Sequence, residues 1–224
     1  MTTQAPALRV QMDEMGDEHV MTSVATPLRS DAFDKSDEQK IDEIADKFAS
    51  IMEILGLDLT DDSLAGTPYR VAKMYVKEIF SGLHPDRKPE VKLFDNTYGY
   101  DGMLVEKGIS FYSNCEHHFV PIIGKAHVAY ISNGKVIGLS KLNRIVRYYA
   151  ARPTVQERLT MQIAEELKAA LQTDDIAVYI DAVHLCVSSR GVKDTASSTV
   201  TSHFAGKFLE PEYKNQFLQS IQNA

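Results

Sequence analysis

The stretch Gly124–Ala150, GKAHVAYISNGKVIGLSKLNRIVRYYA, decides the fold class. Gly124–Ile131 is β-rich, Ser132-Asn133-Gly134 carries turn chemistry, and Val136–Leu139 reads as a returning strand, so the spacing predicts a hairpin. Ser140 then offers a side-chain oxygen for a helix N-terminus, with Leu142, Ile145, Val146 and Tyr149 at helical spacing behind it. A hairpin feeding straight into a helix belongs to an α+β architecture. A Rossmann-type sheet would instead join parallel strands through helices.

Working outward, Thr154-x-x-Glu157 fits a capping box ahead of Leu159, Ile163, Leu167 and Leu171. Ile176–Val187 alternates as a strand, Thr195–Phe208 is its Thr/Ser-rich partner, and a short helix is expected from Glu212. Upstream, Leu104–Ser113 is a further strand. Two helices precede it. Ser36-x-x-Gln39 fits a capping box before Ile41, Ile44, Phe48, Ile51, Met52 and Leu55, with Gly56 as the stop. Thr67-Pro68 reads as cap and first-turn proline before Val71, Met74, Tyr75 and Ile79, and His84–Pro89 reads as a loop. The expected organisation is an arm over 1–35, either adaptable or an oligomer contact, a helical region over 36–100 and a strand-rich part over 101–224. No internal repeat or low-complexity block interrupts it.

The chain has 224 residues, 44% of them apolar and 25% charged, the balance of an ordinary soluble globular protein. A chain of this length buries roughly 70–75% of its unfolded surface and needs no disulfide staple. The net charge of −7 and a pI near 5.5 weigh against general nucleic-acid binding. Residues 1–35 hold no signal-peptide core, and nowhere do 18 apolar residues run together, so neither a targeting signal nor a membrane span is expected. A reducing cytoplasm follows as the expected compartment, which weighs against a bridge between the two cysteines, Cys115 and Cys186. Neither a Gly-x-Gly-x-x-Gly run nor a P-loop occurs.

Both cysteines sit among histidines. Cys115-Glu116-His117-His118 places a thiol and an imidazole three residues apart, within reach of one metal. Far downstream, His184-Leu185-Cys186 puts another such pair at i and i+2, which on a strand share one face. The two clusters hold both cysteines and three of the seven histidines. Thiolate and imidazole donors suit Zn²⁺, which takes four ligands. A Cys₂His₂ set closes a structural site, whereas two cysteines and one histidine leave a position for water and two imidazoles for proton transfer. Spacing leaves both open, along with a plain pair of reduced cysteines.

Cations recur near these clusters. Arg70 and Lys73 lie on the second helix, Lys141 and Arg144 follow Ser140, and Arg190 and Lys193 follow the downstream cluster. An acidic chain that gathers cations beside a metal fits a polyanion such as phosphate, although each pair taken alone also fits a solvated helix face. Ser140 and the backbone N–H groups of its helix would add to an anion site. Glu157 either closes its capping box or pairs with a guanine-like N–H edge, and Gln156 beside it reads equally as helix surface.

In order, DDSLAGTPYRVAKMYVKEIFSGL, CEHHFVPIIGKAHVAYI, VIGLSKLNRIVRYYA, RPTVQERLT and HLCVSSRGVKDTASSTVTSHFAGKF closely resemble the GTP cyclohydrolase I family, over about Ser36 to Phe208. The resemblance implies the tunnelling or T-fold: N-terminal helices, then an antiparallel sheet with helices packed on one face. It also implies a homodecamer of two face-to-face pentamers, with active sites at subunit interfaces. Cys115, His118 and Cys186 then correspond to ligands of a Zn²⁺ cofactor, and His117 and His184 to the acid/base pair. Ser140, Lys141, Arg144, Arg190, Arg70 and Lys73 correspond to the phosphate-side set, and Gln156 and Glu157 to the residues that recognise guanine.

The implied reaction is zinc-assisted hydrolytic opening of the imidazole ring of GTP, with His117 protonating N7. Formate release, a ribose rearrangement with proton transfers at His184, and closure to 7,8-dihydroneopterin triphosphate follow, the first step of tetrahydrofolate or another pterin biosynthesis. The family often carries Arg-Arg-Pro-Gln where this chain has Ala151-Arg152-Pro153-Thr154, and Thr154 is expected to cap better than Gln. Two other classes compete: a zinc-stabilised assembly that binds a purine nucleotide without turnover, and a T-fold enzyme acting on a pterin or deazapurine. Both spare histidines weigh against the first, and the Cys-x-x-His with His-x-Cys combination against the second.

Overall fold

The protein is described here by a computed structural model covering residues 23–222. Helix α1 (Asp37–Ile54) starts at the expected box: Ser36 Oγ accepts from the Gln39 backbone N–H at 3.2 Å, and Gln39 Oε1 accepts from the Ser36 N–H at 2.9 Å. Asp37 and Glu38 in its first turn complement the helix dipole. Gly56 follows its end at φ 85°, a conformation that costs glycine little. A short α2 (Asp62–Ala65) leads to α3 (Thr67–Met74), which runs into one π-helical turn, Tyr75–Ile79. The cap of α3 is Gly66 rather than Thr67, whose hydroxyl accepts from Arg70 at 2.7 Å instead.

Among the described residues, seven strands follow. Five of them, β2 (Met103–Cys115), β3 (Pro121–Ile131), β5 (Pro153–Thr154), β6 (Ile176–His184) and β7 (Thr199–Phe204), form one sheet in the order β5-β2-β3-β6-β7. It is antiparallel except for the two-residue β5, which runs parallel to β2. The other two, β1 (Leu93–Asp95) and β4 (Lys135–Ile137), pair with each other. The expected hairpin from β3 is therefore replaced. Both edges of β3 are already occupied by β2 and β6, so the chain returning through β4 finds its hydrogen bonds on β1. The β1–β4 pair also ties the 36–100 stretch to the 101–224 stretch.

Helices α4 (Leu139–Ala150) and α5 (Gln156–Leu171) cover one sheet face, where Leu142, Ile145, Val146, Leu159, Ile163 and Leu167 meet Phe111, Val128 and Ile180. A short α6 (Leu185–Ser188) follows β6, and α7 (Pro211–Ile221) closes the described chain. Phe217 and Ile221 of α7 pack with Phe208 on Ala129, Ile131 and Ala177. This α+β arrangement, with two helices on one face of a nearly all-antiparallel sheet, is the one expected for a T-fold.

Both expected side-chain caps in this part are displaced. The N-cap of α4 is Gly138, which places Ser140 inside the first turn, and the N-cap of α5 is Val155. Thr154 is fully buried in β5, where its hydroxyl donates to the Val155 carbonyl at 2.9 Å. Pairing of Cys115 with Thr154 in the sheet fixes that residue before the helix begins. The substitution at 154 is thus a sheet residue and not a cap.

The helical region docks on α4 through Gly82. Its N–H donates to the Ala151 carbonyl at 2.9 Å and its carbonyl accepts from Arg152 Nε at 2.8 Å. A Cβ at this position would lie 2.0 Å from the Tyr148 carbonyl oxygen, so only glycine permits the approach. Of the expected arm, residues 1–22 lie outside the described residues. The remainder lies along α5: Gln162 Nε2 donates to the Val24 carbonyl at 2.8 Å, and Arg158 Nε to that of Ser23 at 3.4 Å.

Candidate metal centre and the polar groups around it

Strands β2 and β6 both run antiparallel to β3, so their C-terminal ends meet at the beginning of β3. Asn114 pairs with Pro121 on one side, and His184 pairs with Ile122 on the other. Topology alone therefore brings Cys115 and the end of β6 to one edge of the sheet.

After Cys115 the chain makes a closed loop. The Cys115 N–H donates to the Val120 carbonyl at 2.9 Å, and the Phe119 N–H to the Cys115 carbonyl at 2.8 Å. Closing so tightly puts Phe119 at φ 55°, a left-handed conformation uncommon outside glycine. Two contacts hold it there. The buried Asn114 donates from Nδ2 to the Phe119 carbonyl at 3.2 Å, and the Phe119 ring meets Phe80 edge-on at 5.2 Å. The Glu116 N–H reaches the Thr154 carbonyl at 3.2 Å, and its carboxylate pairs with Arg158 of α5.

The other cluster differs from its expected form. Strand β6 stops at His184, and Leu185–Ser188 turn as α6, so His184 and Cys186 do not share a strand face. The ladder with β3 ends at the Ile122–His184 pair, and beyond it the backbone bonds within its own turn. That turn carries Cys186 to Cys115. The ligand atoms of Cys115, His118 and Cys186 all lie within 4.8 Å of one another, with Cys115 Sγ 3.9 Å from His118 Nδ1. Among the described residues this is the group with metal-binding geometry.

The donor chemistry fits a zinc-like ion. Burial, foremost, pushes the Cys186 thiol up, and Cys115 beside it adds to the effect. A cation beside the two sulfurs would reverse that effect on Cys186, because a coordinating thiol is deprotonated outright. His118 Nε2 accepts from Arg190 at 2.8 Å, which brings one cation of the expected phosphate set to the cluster. Asn114 holds the loop that presents two of the three donors. Asn114→Ala is therefore expected to weaken metal retention about 10- to 100-fold. Competition with a chromophoric chelator measures this, and unchanged retention would remove Asn114 from the support of the site.

His117 is exposed, its ring almost perpendicular to that of His118 at 6.4 Å between centroids. His184 is half-buried. Burial pulls its pKa below the ordinary histidine value, while Glu157 acts in the opposite direction. Its Nε2 lies 2.7 Å from Gln156 Oε1. Gln156 is only 1% exposed, so it is not helix surface, whereas Glu157 is exposed in the first turn of α5.

The remaining cations lie apart. Arg70 NH2 donates to Thr67 Oγ1 and, at 3.2 Å, to the Ser63 carbonyl, and Lys73 is exposed on α3. Ser140, Lys141 and Arg144 occupy the start of α4, where Arg144 lines a cavity of about 360 Å³ with Arg87 and Arg147. Among the described residues, no hydrogen bond or ion pair joins these five to Cys115, His118 or Cys186. Asn114, Phe119 and the Glu116–Arg158 pair did not emerge from the sequence. Glu116 and Arg158 stand in quoted motifs, but nothing in either motif shows that they pair.

Comparison with known proteins gives a consistent result. The model of the family described as GTP cyclohydrolase I matches residues 44–222. A GTP cyclohydrolase 1 of Flavobacterium johnsoniae is 62% identical over 211 residues, covering 94% of this chain and 95% of that protein. One from Aeromonas salmonicida is 52% identical over 198 residues, covering 88% of this chain and 90% of that protein. One from Photobacterium profundum is 46% identical over 223 residues, covering 99% of each.

Proposed function

We propose, from the premise that the chain belongs to the GTP cyclohydrolase I family, that it hydrolyses GTP to 7,8-dihydroneopterin triphosphate and formate in pterin biosynthesis. The observation that carries this reading is the meeting of Cys115, His118 and Cys186 beside His117 and His184. Residues 101–224 form the catalytic part, and 36–100 the helical part docked on it.

Cys115, His118 and Cys186 hold a zinc ion, whose preferred donors are thiolate and imidazole. When bound, zinc supplies a Lewis acid that makes water nucleophilic near neutral pH. His117 gives a proton to N7 of guanine, which makes C8 more electrophilic towards the attacking water. His184, half-buried and favoured in its neutral form, takes and returns protons during the ribose rearrangement. Glu157, exposed at the start of α5, accepts from the ring N–H and exocyclic amine of guanine.

Arg190 binds the triphosphate from beside the cluster. Ser140, Lys141, Arg144, Arg70 and Lys73 reach the triphosphate from a neighbouring subunit. A decamer of two pentamers supplies such neighbours. The enzyme works in the cytoplasm, with neither nucleic acid nor membrane as a partner. No helix among the described residues is long and apolar enough to cross a membrane.

Metal analysis and GTP turnover on one purified sample test the reading. Stoichiometric zinc, formate and a fluorescent pterin after oxidation are expected. Nucleotide binding without formate would replace it with a non-catalytic role.

A further inference from the structure

Gln156 directs its whole side chain inward. Its Nε2 faces three oxygens: the Thr199 carbonyl at 2.9 Å, Thr201 Oγ1 at 3.1 Å and the Ile180 carbonyl at 3.3 Å. Carbonyls only accept, so the amide nitrogen must point at them. The hydroxyls agree. Thr160 Oγ1 donates to the Gln156 carbonyl at 2.9 Å, which leaves Thr201 to donate across the 2.7 Å Thr160–Thr201 contact. Thr201 Oγ1 has then used its proton and can only accept from Gln156. Turning the amide over would set Oε1 against two carbonyls in a buried site, an arrangement with no compensating donor.

With the amide fixed, Oε1 is the atom 2.7 Å from His184 Nε2. An amide oxygen cannot donate, so Nε2 carries the hydrogen. The geometry points to Gln156 as a positioning residue for His184: it holds the ring plane and the Nε2–H tautomer and leaves Nδ1 as the nitrogen for proton transfer. The anchor spans three elements, since Gln156 belongs to α5, Ile180 to β6, and Thr199 and Thr201 to β7. This inference rests on the reading that His184 moves protons during GTP conversion. It differs from guanine recognition by the Gln156 carboxamide, whose nitrogen is consumed inside the chain.

A double-substitution cycle with GTP as substrate tests it. Gln156→Met keeps the volume and length of the side chain but removes both hydrogen-bonding ends. It is expected to lower kcat about 10- to 100-fold with KM for GTP unchanged within about twofold, as loss of a group that orients a catalytic imidazole does. In a His184→Ala background the same substitution is expected to change kcat by less than about twofold, because the group it positions is gone. Gln156→Ala serves as the second variant, and thermal unfolding confirms that each is folded.

A raised KM with unchanged kcat would overturn the inference and return Gln156 to substrate binding. So would an equal loss in both backgrounds, or wild-type activity in His184→Ala. Absence of formate from the wild-type protein sinks the function and is read first. The ¹⁵N spectrum of histidine-labelled protein decides positioning even then: a single Nε2–H form of His184 in the wild type that becomes a tautomer mixture in Gln156→Met supports it, and identical spectra overturn it.

Discussion

Cys115→Ser is expected to lower formate release from GTP by about 10³-fold or more. The side chain is buried at the end of β2, and the backbone there is fixed by the Val120 and Thr154 contacts, so no rearrangement brings another donor to its place. Serine is a neutral, hard oxygen where the cluster needs a thiolate. Losing one of the three donors would remove the ion, and with it the activation of water near neutral pH that the ion would supply. Metal content should fall with activity while the unfolding profile of the sheet persists. Full formate release from a metal-free Cys115→Ser protein would sink the mechanism.

Glu116→Ala is expected to cost about 3–5 kcal/mol of stability, the range for breaking a buried ion pair from one side. Side-chain exposure decides this size: 4% for Arg158 and 17% for Glu116, against the freely exposed pairs worth under about 1 kcal/mol. Without the carboxylate, the Arg158 guanidinium keeps a single 3.4 Å contact to the Ser23 carbonyl among the described residues. For a chain of this length the loss lowers the unfolding midpoint by roughly 6–20 °C. The measurement is made at fixed protein and metal concentration, because ligands and assembly shift the midpoint by mass action. Replacing both partners, Glu116→Leu with Arg158→Met, should recover most of the loss, since two well-packed apolar groups strand neither charge of this pair. A cost below about 1 kcal/mol for Glu116→Ala would mean that the pair behaves as a surface one.

Local order was legible where neighbours in sequence are neighbours in space. Ser36 and Gln39 form their box because three residues along a helix start place side chain and backbone in reach. The apolar stripes of α4 and α5 follow from the same helical spacing. Caps were misread where another partner was stronger: Ser140 lies inside α4, and Thr154 is committed to the sheet beside Cys115. The hairpin was misread because the turn chemistry at Ser132–Gly134 fixes a reversal of direction but not which strand receives the returning edge. Where β6 ends is likewise set by the length of its ladder with β3, which no residue of His184-Leu185-Cys186 announces.

The sequence by itself determined the chemistry on offer: two thiols and three imidazoles in two motifs, cations spread along an acidic chain, and a family whose ordered motifs carry the α+β fold. Only the tertiary structure decided which atoms meet. Cys115 and Cys186 lie far apart in the chain, and they converge because β2 and β6 flank β3 and run the same way. Gln156 and Glu157 are adjacent in sequence, yet successive helical positions point about 100° apart. One is therefore buried against β6 and β7 and faces His184, while the other is exposed.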